Sequence, residues 1–142
     1  MLVRLLYASR AEAGSPPSEL LATILKQSQA NNARCGVTGL LCFSGGVFLQ
    51  VLEGGRDRVN ALYRRICADA RHTDVVLLSY EEICERRFGG WSMGRVDMAR
   101  LNPALMLKYS VTTALDPYVL SGRASMALFE ELVATASVAG PA

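Results

Sequence analysis

The chain has little of what many function classes require. It carries one histidine and one tryptophan in 142 residues. Its four cysteines, Cys35, Cys42, Cys67 and Cys84, include no C-x-x-C pair, so a zinc site is not expected. Charge of either sign is scarce in excess: 15 Lys and Arg against 13 Asp and Glu leave +2. The arginines are scattered apart from Arg64-Arg65 and Arg86-Arg87, which gives no basic footprint for direct nucleic-acid binding. No apolar run approaches the ~20 residues of a membrane span. The start, MLVRLLYAS, is broken by Arg4 too early to read as a signal peptide. With no export signal, the free cysteines point to a reduced, cytoplasmic protein.

What is present is a composition for one packed core, 51% hydrophobic and 20% charged. Residues 2–8 read as a strand with Val3, Leu5 and Tyr7 on one face. After the Pro16-Pro17 loop, with Ser15 or Ser18 as cap, a helix is expected over Ser18–Ala30. Its stripe is Leu20, Leu21, Ile24, Leu25 and Ser28, and Asn31-Asn32 reads as its stop. Residues 36–43 and 47–53 read as strands joined by a hairpin turn at Ser44-Gly45-Gly46. A second helix over 57–70 carries Val59, Leu62, Tyr63 and Ile66 at helical spacing. Residues 75–80 and 88–96 read as two further strands.

The order β-α-β-β-α-β plus one strand predicts an α+β, ferredoxin-like sheet with two helices on one face. Both faces of the central strands are apolar, so the C-terminal segment is expected to cover the back. Asn102-Pro103 starts a short helix there, and a last helix carries Phe129, Leu132, Val133 and Ala136.

Several polar residues do not suit a plain core. Tyr7 shares a face with Val3 and Leu5, and Gln50 with Phe48 and Leu52. The first and third strands of a ferredoxin-like sheet are central neighbours, so a phenol and a carboxamide meet under the helices. Taken singly, this is a structural pair. Asn31-Asn32 is a helix stop, Arg65, Asp69 and His72 a solvated edge, and Trp91 and Met93 core residues on one strand face. Taken together, they surround a space walled by Ile24, Phe48 and Ile66. A flat, imide-like heterocycle between two helices fits that space.

At these residues the sequence resembles the BLUF family, blue-light sensors that use FAD. LLYAS, NNARCGVTGLL, VFLQVLEG, YRRICADARH and RRFGGWSMG carry the resemblance, in order, over residues 2–97. It implies a photosensory domain at 1–97 and a helical extension at 98–142. Tyr7 matches the tyrosine that gives an electron to excited flavin. Gln50 matches the glutamine whose amide bonds both that tyrosine and the ring. Asn32 matches the asparagine on the ring's imide edge, and Asn31, Arg65, Asp69 and His72 match positions around the ring and its ribityl-phosphate side. Ile24 and Ile66 match the residues stacked on the ring, and Trp91 and Met93 the pair whose burial changes with light. The implied function is a reversible red-shifted signalling state, without catalysis, relayed to a downstream partner protein. The exposed back helices and apolar tail suggest a homo-oligomer, a dimer or larger. Two other readings stay open from the residues alone. One is an acylphosphatase-like hydrolase, needing an anion cradle at Arg10. The other is a ligand-free regulatory module in which Tyr7 and Gln50 are only structural.

Overall fold

The computed structural model describes residues 1–12, 17–98, 101–135 and 138–140. Its elements run β1 (Leu2–Ala11), α1 (Pro17–Cys35), β2 (Thr38–Ser44), β3 (Val47–Gly55), α2 (Arg56–Ala68), β4 (His72–Ile83), β5 (Gly94–Val96), α3 (Pro103–Tyr109), α4 (Gly122–Ala134) and β6 (Val138–Ala139). They form one sheet in the order β4-β1-β3-β2-β5-β6. The β1–β3, β1–β4, β2–β3 and β5–β6 pairs are antiparallel, and β5 lies parallel to β2. This is the expected α+β, ferredoxin-like arrangement.

The two-faced apolar strands explain the three layers. On one face, Val3, Leu5, Phe48 and Leu52 pack with Leu20 and Ile24 of α1 and Val59 of α2. On the other, Leu6, Leu40, Leu49 and Val51 pack with Met106 of α3 and Leu128, Phe129 and Leu132 of α4. Each fully buried leucine or phenylalanine contributes about 1.5–3 kcal/mol. Local chemistry sets the joints. Gly45 and Gly46 both have positive φ, 59° and 78°, as a primed hairpin turn requires. Asn102 caps α3 by accepting from Ala104 N, and Ser121 caps α4 by accepting from Ala124 N.

Four expectations shift. α1 continues through Asn31 and Asn32 to Cys35, and Gly36 at φ +69° ends it. The asparagines are not its stop, because Asn32 is buried and its amide is used elsewhere. The cap expected at Ser15 lies outside the described residues, as does Ala136, and Ser18 falls inside the first turn of α1. β4 is twelve residues long, extending the 75–80 expectation at both ends. The strand expected over 88–96 shrinks to Gly94–Val96, and residues 88–93 are irregular.

Gly39 shows how closely β2 approaches β3. A Cβ there would lie 1.9 Å from the Val51 carbonyl oxygen, a backbone atom that cannot swing away. Gly39→Ala is therefore expected to destabilise the fold by about 1–3 kcal/mol. A denaturant melt checks it.

Candidate functional site

The register of β1 and β3 places Tyr7 directly opposite Gln50. Both are buried, at 1% and 3% exposure. The Tyr7 hydroxyl donates to Gln50 Oε1 in a short hydrogen bond. Gln50 Nε2 donates to the Met93 thioether sulfur at 3.2 Å. Burial pushes the Tyr7 phenol well above its usual pKa, so it is held neutral.

Above this pair, α1 and α2 present matching stripes. Ile24, Gln27, Ser28 and Asn31 recur at i, i+3, i+4 and i+7 on α1, and Leu62, Arg65, Ile66 and Asp69 do the same on α2 and its C-cap. With Arg71 and His72 they line a cleft of about 180 Å³ floored by Tyr7 and Gln50. That is below the ~300–1,000 Å³ that encloses a drug-sized ligand. A ligand larger than the cleft extends beyond its mouth.

The rim is pre-arranged. Asp69 accepts from the Arg71 backbone and guanidinium, and this pairing holds the Asp69 carboxyl below its usual pKa. His72 lies behind Tyr7, ring centroids 6.3 Å apart, with Nδ1 2.7 Å from Ser9 Oγ. Burial lowers the His72 pKa; Asp69 opposes the shift and Arg71 adds to it. The folded pKa thus falls below the unfolded value near 6.5. The unfolded state binds more protons between the two, so stability falls as pH drops through 6.5. Denaturant midpoints at pH 7.5 and 5.5 should differ more in the wild type than in His72→Asn. An imidazole titrating at or above 6.5 by NMR would refute this.

Segment 88–93 is bonded on several sides. Glu53 accepts from Arg87 N at 3.1 Å and Phe88 N at 2.7 Å. Trp91 O accepts from Gly39 N, Ser92 O from Asn32 Nδ2 and Met93 O from Gln29 Nε2.

The expected site residues divide accordingly. Tyr7, Ile24, Asn31, Gln50, Arg65, Ile66, Asp69 and His72 line the cleft. Asn32 and Phe48 do not. Asn32 turns its amide to Ser92 O, and Phe48 is buried between Phe43 and His72, with centroids 4.5 and 5.0 Å away. Trp91 and Met93 do not share a face: Met93 joins the core under α1 and α2, and Trp91 packs against the core under α3 and α4. The period of two fails because they precede the regular strand. Among the described residues, Arg10 lies 3.4 Å from Asp74 and 4.3 Å from the Tyr118 ring centre, so its guanidinium is engaged there. Gln27, Arg71, Gln29 and Glu53 were not anticipated. Gln27 follows Ile24 by three residues, a spacing that could have found it. The other three carry no periodic signal.

The donor set fits a flavin ring: apolar walls from two helices, a polar rim, and a buried carboxamide on the floor. Gln50 Nε2 has two N–H groups, and a weak sulfur acceptor takes one. An acceptor on a bound ring would satisfy the other.

Comparison with known proteins gives a consistent result. The family description "BLUF: Sensors of blue-light using FAD" matches residues 2–94. The "Blue light- and temperature-regulated antirepressor BluF" of Escherichia coli (strain K12) is 35% identical over 98 residues, 69% of this chain and 24% of that protein. Among solved structures, "BlsA photo-activated state" aligns with TM-score 0.85 at 29% identity, covering 94% of this chain and 95% of that one. "BlrB - a BLUF protein, dark state structure" aligns with TM-score 0.78 at 34% identity, covering 95% and 96%. The chain spans about a quarter or less of the length of the first curated relatives it matches.

Proposed function

The chain belongs to the BLUF family, sensors of blue light using FAD, and from that premise we propose that Tyr7, Gln50 and Met93 form its photoswitch. The buried Tyr7–Gln50–Met93 hydrogen-bond chain on the floor of the cleft carries this reading. Ile24, Leu62 and Ile66 would hold the flavin ring, with Asn31, Arg65 and Arg71 at its polar edge. Asn32 has a second N–H and its Oδ1 beyond the bond to Ser92 O, and would meet the imide edge with these. When bound, FAD absorbs blue light and its excited ring accepts one electron.

Tyr7 supplies that electron. A buried phenol cannot keep the resulting positive charge, so its proton would pass along the bond to Gln50 Oε1 while Gln50 Nε2 gives up one of its own to the reduced ring, which leaves no charge on the carboxamide. Electron and proton then return to Tyr7. Gln50 has meanwhile changed arrangement, by rotation or tautomerisation. A rotated carboxamide presents N–H to the Tyr7 oxygen and a carbonyl to Met93 Sδ. The sulfur loses its donor, and Met93 is displaced. One side chain with two bonded states is the switch, and no substrate is turned over in these residues.

We assign sensing to residues 1–97 and output to the extension at 98–142, acting on a downstream protein in the cytoplasm. Among the described residues, no helix is long and apolar enough to cross a membrane. Exposed Val76, Leu77 and Tyr80 on the β4 edge, with Leu107, Val111 and Val119 beyond the sheet, support self-association. The test is direct. The purified chain loaded with FAD should shift its flavin absorption reversibly to the red under blue light. A bound flavin that bleaches or does not respond would overturn the proposal.

A further inference from the structure

The outer edge of β5 is covered by a short segment that the photoswitch does not use. β6 pairs with it, Ala139 opposite Arg95 and Val138 opposite Val96. This segment sits on the backbone that carries Met93. Gly140 has φ +149°, and a Cβ there would lie 2.9 Å from the Met93 carbonyl oxygen and 3.1 Å from Gly94 Cα. At Gly94, a Cβ would meet Leu40 Cδ2 at 2.7 Å, Val138 Cγ1 at 2.8 Å and Trp91 Cγ at 2.9 Å. Two glycines thus let the C-terminal segment, β5 and Trp91 close on one another. Met93 links both sides: its sulfur accepts from Gln50, and its carbonyl lies against Gly140.

We propose that residues 138–140 are a strap over the β5 edge, and that displacement of Met93 lifts the strap and opens that edge to an extended segment of the downstream protein. This rests on the photoswitch proposed above. The strap suits such release. It has two ladder positions, Ala139 and Gly140 are exposed, and Val138 is half-buried. Local opening of so small a unit costs far less than unfolding. An uncovered strand edge is a template for backbone pairing. The strap shows what the edge accepts: an antiparallel backbone with a branched apolar side chain over Gly94, then a small residue, then glycine against Met93 O.

Hydrogen exchange by mass spectrometry, in darkness and under blue light, tests this with absorption recorded on the same FAD-loaded sample. Amides in 94–96 and 138–140 should exchange about tenfold faster in light, while β1 and β3 stay protected. Gly140→Val, away from the cleft, should give that faster exchange already in darkness with FAD still bound. A disulfide between Arg95→Cys and Ala139→Cys, in a chain with Cys35→Ser, Cys67→Ser and Cys84→Ser, should keep 94–96 protected in light while the red shift still forms. A red shift with unchanged exchange at both segments overturns the strap and leaves the photoswitch standing. Gly140→Val protein as protected in darkness as wild type also overturns it. Absence of any red shift removes the photoswitch and the strap together.

Discussion

Tyr7→Phe should bind FAD and show no reversible red shift under blue light. The substitution keeps the ring that packs beside Tyr63, centroids 5.7 Å apart, and removes only the hydroxyl that donates to Gln50 Oε1. Without that proton, a buried aromatic ring can lose an electron only by holding an uncompensated charge. Gln50 then has no route between its two arrangements. The same change leaves a buried carbonyl without its donor, at a cost of about 1–3 kcal/mol. The variant should therefore melt somewhat earlier, while its light response is lost entirely. A wild-type photocycle in Tyr7→Phe would remove Tyr7 as the donor.

Glu53→Ala should produce the largest loss of stability. Glu53 is fully buried on β3, directly opposite Arg4 on β1. Its carboxylate accepts from Arg4 Nε at 2.8 Å and from the backbone N–H groups of Arg87 and Phe88. Alanine leaves two amides and a nearly buried guanidinium without that acceptor. Removing one partner of a buried pair costs about 3–5 kcal/mol, which for a domain this size lowers the melting midpoint by about 10 °C. Glu81, the other partner of Arg4, is half-exposed, and Glu81→Ala should cost at most about 1 kcal/mol. Arg4→Met with Glu53→Leu should recover only part of the loss, because the two backbone donors stay unpaired. A Glu53→Ala midpoint within about 2 °C of wild type would show that this carboxylate does not hold segment 86–88 in place.

The parts of this molecule legible in the sequence are those fixed by periodicity. Alternation put Tyr7 with Val3 and Leu5, and Gln50 with Phe48 and Leu52. The element order then made β1 and β3 neighbours, so the central pair was foreseeable. Asn31-Asn32 misled because weak helix propensity yields to tertiary bonding: Asn32 is held inside α1 by Ser92 O, 60 positions away. Phe48 misled because it shares a face with Gln50 but lies two residues along the strand, about 6.7 Å away, under His72 instead of the cleft. Trp91 and Met93 misled because the alternation rule holds only within a strand, and theirs begins at Gly94. Glu53 carried no local signal at all. Its partners are 34, 35 and 49 positions distant, and only the folded chain brings them together.

The rearrangement of the Gln50 carboxamide can be observed directly. The chain has three glutamines, Gln27, Gln29 and Gln50, and four asparagines, Asn31, Asn32, Asn60 and Asn102, so protein labelled with ¹⁵N at glutamine side chains alone gives three NH₂ pairs, assignable with Gln27→Ala and Gln29→Ala. In FAD-loaded protein, the Gln50 pair should move under blue light and return in darkness at the same rate as the absorption band. A red shift that forms and decays while the Gln50 pair stays in place would contradict the switch.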